Sequence, residues 1–76
     1  MQELSKVKSN ILFKIKEIKK CCPFKIKRRL LDLGFLPETE LKVIKKSLLS
    51  KVLLIEIRGY CLSLQTKIAD YIIVGG

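Results

Sequence analysis

Two short runs rich in alternating apolar positions flank Gly59 in the segment VLLIEIRGYCLSLQ, residues 52 to 65. A period of two is typical of a β-strand that buries one face. Glycine adopts the backbone conformations of a tight reversal without steric cost. The segment therefore predicts an antiparallel hairpin. Its inward side chains would be Leu53, Ile55, Ile57, Tyr60, Leu62 and Leu64, and its outward side chains Cys61, Ser63 and Gln65.

Three further segments carry strand signals. They are ILFKIKEIK (11 to 19), ELKVIKK (40 to 46) and YIIV (71 to 74), the last preceded by a helical turn at TKIAD (66 to 70). The first alternates until Glu17 and Ile18, where the slip indicates either a bulge or the end of regular strand pairing. In the second, Leu41 and Val43 share the side that we expect to be buried.

A single segment, FKIKRRLLDL, has helical periodicity. Ile26, Leu30 and Leu33 recur at i, i+4 and i+7, so they share one face of a helix predicted for residues 24 to 33. Gly34 is placed to end it in a left-handed conformation. Three turns of helix do not hold alone in water, so this helix must dock on the strands. Its exposed rim would consist of Lys25, Lys27, Arg28 and Arg29.

The order of these segments predicts a small all-β protein. We expect an SH3-like five-stranded barrel with one short helix after the first strand and a helical turn before the last strand. Closing a short sheet on itself removes most exposed strand edges. Seventy-six residues provide one core, so residues 1 to 76 are expected to form a single domain. Residues 1 to 8 would be a short docking arm or a frayed end.

The groups that catalysis needs are scarce. The chain has no histidine, and its four glycines (34, 59, 75 and 76) build neither a phosphate-binding loop nor a dinucleotide fingerprint. We therefore expect neither an enzyme nor a resident cofactor. Cys21, Cys22 and Cys61 lack the paired spacing of a zinc site and are expected to be reduced packing residues. A weak thiolate metal or redox site at these cysteines is the alternative.

The net charge limits the kinds of molecule that we expect the protein to bind. Sixteen Lys and Arg against seven Asp and Glu give a net charge of +9, which favours nucleic acid, anionic lipid or an acidic protein face. A nucleic-acid-binding barrel would stack bases on aromatic side chains. Phe13 and Tyr60 fall at inward positions by alternation, so no stacking row is expected and nucleic-acid binding should be non-specific.

We expect the chain to carry neither a membrane-crossing segment nor a secretion signal. Its longest apolar runs, such as residues 52 to 55, are far shorter than the roughly twenty residues that a spanning helix needs. We therefore expect the protein not to be inserted in a membrane and to stay in the cytoplasm.

Leu48 and Leu49 occupy the tip of a predicted loop between Lys46 and Lys51. Each leucine gains about 1.5–3 kcal/mol on burial. We expect these side chains either to fold back on the barrel or to be covered by a partner protein. The basic residues Arg28 and Arg29 would join this surface.

The segment RRLLDLGFLPETELKV, residues 28 to 43, resembles the signature of the ferrous iron transport protein A family. The matching positions are Arg29, Leu30, Leu31, Leu33, Gly34, Phe35, Pro37, Leu41 and Val43. The closing stretch matches at Arg58, Gly59, Leu62, Leu64, Ala69, Ile72 and Val74. Glu38 departs from the pattern, because a glycine usually follows Pro37; the turn is therefore expected not to rely on the positive φ that glycine adopts freely.

This resemblance implies an SH3-like cytoplasmic protein that accompanies a membrane ferrous-iron permease and docks on its cytoplasmic, GTPase-containing region. It would lie at the inner face of the membrane through that partner. Related barrels also form the regulatory domain of iron-dependent repressors, which is the alternative together with a nucleic-acid-binding barrel. The motif residues expected to hold the fold are Leu30, Leu33, Gly34, Pro37, Arg58 and Gly59.

Overall fold

The structure, a computed structural model, describes all 76 residues. Its strands are β1 (Gln2–Glu3), β2 (Phe13–Ile18), β3 (Glu40–Ser47), β4 (Val52–Ile57), β5 (Tyr60–Gln65) and β6 (Ile72–Gly75). Its helices are a 3-10 turn at Leu4–Lys6, α1 (Phe24–Asp32) and α2 (Thr66–Ala69). The strands form one antiparallel sheet in the order β1-β6-β2-β3-β4-β5. The predicted small all-β, SH3-like class is confirmed, with α1 after β2 and α2 before the last strand.

The sheet has six strands rather than the predicted five. The additional strand is β1, in which Gln2 pairs with Val74 and Glu3 with Ile73. The prediction of a docking arm or a frayed end for residues 1 to 8 was therefore wrong. Leu4 is fully buried in the core, because the 3-10 turn after β1 folds the chain back over the sheet.

The β4–β5 hairpin forms as predicted, in continuous register from Val52↔Gln65 to Ile57↔Tyr60. Arg58 and Gly59 both have positive φ, 51° and 83°. A two-residue loop in which both residues are left-handed has a backbone twist that matches the right-handed twist of the flanking strands. The reversal therefore strains Arg58 as well as using the freedom of Gly59.

Two register shifts curl the sheet. One lies between Ile15 and Glu17, where the sequence predicted either a bulge or the end of regular pairing, and the other lies between Val43 and Lys45. An extra residue on one strand bends it and increases its twist. Helix α2 packs against both β5 and the 3-10 turn that follows β1.

The core follows the predicted faces with one exception. Leu41, Val43, Leu53, Ile55, Ile57, Leu64 and Leu30 are buried, while Ile26, Leu33 and Leu62 pack half-buried against them. Tyr60 was predicted inward but is 40% exposed. It is the first residue of β5, and its hydroxyl donates a hydrogen bond to the carbonyl of Leu33, the residue that follows α1.

Candidate functional site

The tip of the β3–β4 hairpin projects from the sheet. Pairing of the two strands ends at Ser47↔Val52, so residues 48 to 51 lie outside the ladder. Leu48 is 89% exposed and Leu49 is 99% exposed. The alternative in which these leucines fold back on the barrel is therefore wrong. We call residues 48 to 51 the leucine loop.

The leucine loop has an ordered backbone. Ser50 donates its N–H to the Ser47 hydroxyl at 3.2 Å, and Lys51 takes a positive φ of 55°. The Lys51 carbonyl accepts a hydrogen bond of 2.9 Å from the N–H of Thr66, the first residue of α2. This contact ties the base of the loop to the neighbouring helix. The two leucines are therefore presented on a tethered turn.

The predicted basic rim is only partly present beside the loop. Lys51 is exposed, but Lys46 is half-buried and its Nζ donates to the Ser5 carbonyl at 3.3 Å. Lys45 is the exposed lysine on this part of β3. The register shift after Val43 changes which lysine faces outward, and simple alternation missed this.

Arg28 and Arg29 line two different depressions of the surface. Arg29 lines a groove of about 410 Å³ between α1, β5 and α2. Arg28 lines an outer depression of about 440 Å³ together with Phe24 and Leu31. No residue of the leucine loop lines either of these surfaces. Successive residues on a helix point about 100° apart, which separates the two arginines.

The two signature motifs meet in space. Gly34 has φ of 102°, and the N–H groups of Gly34 and Phe35 bond to the carbonyls of Leu31 and Leu30, both at 3.0 Å. This is the Schellman arrangement of a helix end, in which glycine carries the left-handed conformation. A Cβ on Gly34 would lie 2.7 Å from Cδ of Arg58. Gly34 therefore ends α1 and also leaves room for the Arg58 side chain of the β4–β5 turn.

The turn before β3 keeps a positive φ without a glycine. Pro37 and Glu38 are its central residues, and the Thr39 N–H bonds to the Leu36 carbonyl at 3.1 Å. Glu38 has φ of 67°, so the turn takes a positive φ although glycine is absent from that position. The Glu38 N–H bonds to the Ile15 carbonyl at 2.7 Å, and its carboxylate lies 3.1 Å from Nζ of Lys16. Contacts to β2 hold the strained residue.

The three cysteines are free thiols. Cys21 and Cys61 are exposed and Cys22 is buried. Burial raises the pKa of the Cys22 thiol, because the thiolate would lose its hydration. No three His, Cys, Asp or Glu side chains gather into a group that could hold a metal ion.

The ion pairs of the protein lie at its surface. Glu3 contacts Lys19 across β1 and the end of β2, and this hydrogen bond raises the pKa of Lys19. Glu56 lies 3.6 Å from Lys42 on adjacent strands. These pairs link strands to one another and leave most of the positive charge unpaired.

The exposed aromatic side chains sit on different elements. Phe24 is 73% exposed at the start of α1, and Tyr60 lies at the start of β5. Phe35 is fully buried, while Phe13 and Tyr71 are half-buried. The strands therefore carry no row of exposed aromatic side chains on which nucleic-acid bases could stack. No helix of the protein is both long and apolar enough to cross a membrane.

Comparison with known proteins identifies a family pattern. The family model of the FeoA domain matches residues 2–75. The FeoA-like protein from Clostridium acetobutylicum has a structure with a TM-score of 0.85 at 27% identity, covering 97% of this chain and 84% of that one. A search among curated proteins gave no match.

Two further structures are similar in fold. The Stenotrophomonas maltophilia FeoA, complexed with zinc and described as a prokaryotic SH3 domain protein suggested to be a ferrous iron transport activating factor, has a TM-score of 0.84 at 21% identity, covering 99% of this chain and 91% of that one. A manganese-dependent transcriptional repressor has a TM-score of 0.88 at 17% identity; the match covers 97% of this chain and 35% of the repressor. The same fold thus occurs in separate proteins and as part of regulators.

Proposed function

Since the chain belongs to the FeoA domain family, we propose that it is a non-enzymatic accessory protein of bacterial ferrous iron uptake. It docks on the cytoplasmic, GTPase-containing region of a membrane ferrous-iron permease and so resides in the cytoplasm at the inner face of the membrane. It supplies no catalytic group and no resident cofactor. Its contribution is a surface that binds the permease.

The observation that carries this proposal is the exposure of Leu48 and Leu49. Exposing two neighbouring leucines forgoes about 1.5–3 kcal/mol each relative to burial. Protein interfaces commonly combine an apolar centre with a polar rim. Lys45 and Lys51 provide such a rim, whereas Lys46 is engaged by the Ser5 carbonyl. Arg28 and Arg29 line two depressions that include no residue of the leucine loop, so we leave both arginines out of the proposed permease contact.

The test is a double substitution, Leu48→Ser with Leu49→Ser. Because both side chains are solvent-exposed, the melting temperature should stay nearly unchanged. The Kd for the purified cytoplasmic region of the cognate permease should rise at least about tenfold, or about 1.4 kcal/mol. Binding is measured by biolayer interferometry and folding by circular dichroism.

The matched control is Ile11→Ser with Leu12→Ser, which removes two exposed apolar side chains from a different loop. It should bind the permease region as the unmodified protein does. Unchanged binding by a folded Leu48/Leu49 variant would exclude the leucine loop as the interface. Failure of the unmodified protein to bind the permease region would refute the docking function itself.

A further inference from the structure

Strand β5 is an open edge of the sheet. It pairs with β4 on one side only. The two-residue turn makes Ile57 and Tyr60 a hydrogen-bonded pair, and such pairs alternate along an antiparallel ladder. Cys61 and Ser63 therefore direct their backbone N–H and C=O groups away from β4. No backbone hydrogen bond outside the hairpin uses either residue.

This edge lacks the features that usually prevent strand addition. Natural edge strands are blunted by lysine, proline, a bulge or short length. β5 has six residues, YCLSLQ, with no charge and no proline, and it pairs with β4 without a register shift. The opposite edge, β1, is only two residues long and carries Glu3 in its ion pair with Lys19. Only β5 is long and unprotected.

An apolar groove runs beside β5. It has a volume of about 410 Å³ and lies between α1, β5 and α2. Its apolar lining includes Ile26, Leu33, Leu64 and Ile68, and Arg29 is its only charged residue. A strand laid along β5 would direct alternate side chains to the same face. The groove and the open backbone groups together describe one binding site.

We propose that β5 is a strand-addition site for an extended segment of another protein, with apolar side chains at alternate positions and a carboxylate facing Arg29. Extended peptides bind sheet edges through backbone hydrogen bonds, and side-chain pockets supply the specificity. The groove includes no residue of the leucine loop, and the proposed site does not depend on the identity of the permease.

Charge argues for a different protein rather than a second copy of this chain. Two molecules of net charge +9 repel each other when their edges approach. Residues 59 to 66, which contain the edge, also include no carboxylate that could meet Arg29 of a partner copy. An acidic, apolar segment satisfies both the groove and the charge.

The test begins with the full-length protein as bait for a phage-displayed library of random ten-residue peptides. We expect enrichment of sequences that alternate apolar residues and carry an acidic residue. A synthetic peptide of the enriched sequence should slow hydrogen exchange of the Cys61 and Ser63 amides. No enrichment, or enrichment of helical or proline-rich peptides, would overturn the proposal.

Two variants with matched controls test the contacts by fluorescence anisotropy. Ser63→Pro removes the outward N–H and should weaken peptide binding at least about tenfold, whereas Ser63→Ala keeps it and should change little. Arg29→Glu should weaken binding similarly, while Lys25→Glu makes the same charge change outside the groove. Arg29 is exposed, so this variant stays informative if the proline variant fails to fold.

Sedimentation of the peptide-free protein tests whether a second copy of the chain binds the β5 edge instead. We expect a monomer with exchanging Cys61 and Ser63 amides. A concentration-dependent dimer in which those amides are protected would show that a second copy takes the edge, and this would overturn the proposal. Equal peptide affinity of Arg29→Glu and Lys25→Glu would overturn the assigned role of Arg29.

Discussion

Individual residues of this protein hold conformations that their side chains alone would not choose. Arg58 and Glu38 both take positive φ where glycine would be unstrained. A left-handed conformation costs an L-residue roughly 1–2 kcal/mol. The surrounding contacts therefore impose the left-handed backbone conformation at these turns. Glu38 offers the cleaner test, because the Arg58 side chain also lies against Gly34.

Replacing Glu38 by glycine should stabilise the protein relative to replacing it by alanine. Both variants lose the ion pair with Lys16, but only glycine removes the Cβ that disfavours φ of 67°. Part of the gain is offset by the greater freedom of glycine in the unfolded chain. We expect a difference in unfolding free energy of about 0.5–1 kcal/mol in urea titrations. An alanine variant as stable as the glycine variant would contradict the strain.

The thiols should differ in reactivity according to burial. Burial raises the pKa of Cys22 by disfavouring its thiolate, which is the reactive form. In a variant that keeps only Cys22, alkylation by iodoacetamide should be at least about tenfold slower than in a variant that keeps only exposed Cys21, because reaction requires local opening. Equal rates in the two folded variants would show that Cys22 is accessible.

The raised pKa of Cys22 also predicts how the free energy of unfolding changes with pH. As pH rises towards and past the ordinary thiol pKa, Cys22 loses its proton in the unfolded chain before it does so in the folded protein. The unfolded state then binds fewer protons than the folded state, so this thiol lowers stability as pH rises. Cys22→Ala should reduce the loss of stability between neutral and alkaline pH.

At the scale of elements, α1 has two unlike apolar faces. Leu30 is buried on the inner face with Ile26 and Leu33 beside it, whereas Phe24 and Leu31 lie on the outer face beside Lys27 and Arg28. The inner face docks the helix on the sheet, and the Schellman end at Gly34 sets where it stops. The helix therefore depends on tertiary contacts, as its short length requires.

Substituting the adjacent residues Leu30 and Leu31 one at a time tests the inner and outer faces of α1 separately. Leu30→Ala should lower the unfolding free energy by about 2–5 kcal/mol, because it leaves a cavity in the core. Leu31→Ala removes the same atoms from an exposed position and should cost no more than about 1 kcal/mol. Chemical denaturation of both variants measures the difference. A near-zero cost for Leu30→Ala would mean that the helix does not dock as described.

At the scale of the whole molecule, charge exceeds what the ion pairs neutralise. The net charge of +9 is spread over a surface whose exposed aromatic residues lie on separate elements. Such a surface attracts polyanions without reading their sequence. Charge by itself therefore supports association with nucleic acid in low salt and gives it no specific role.

We expect any nucleic-acid binding to be non-specific and salt-sensitive. Each phosphate neutralised on duplex DNA contributes a slope of about −0.9 to log K against log salt. Unrelated duplexes of equal length should show similar Kd values at every salt concentration in anisotropy titrations. A salt-resistant complex with one preferred sequence would instead support a nucleic-acid-binding function.

Local patterns were sufficient to predict the elements that depend on near neighbours. The β4–β5 hairpin follows from alternation around Gly59, and α1 from the spacing of Ile26, Leu30 and Leu33. Gly34 was predicted to end the helix, and its φ confirms this. These features depend on residues a few positions apart, whose periodicity is visible in the chain itself.

Only the tertiary structure decided which surfaces exist. β1 is two residues long, too short to show any period, and forms because β6 from the far end of the chain pairs with it. The Lys46 ammonium is drawn to a carbonyl 41 positions away, and Arg28 and Arg29 are separated by the turn of the helix. The open edge of β5 is likewise a property of strand order. Contacts between distant residues leave no local periodicity, so the amino-acid sequence determined the elements and the packing determined the faces they offer to partners.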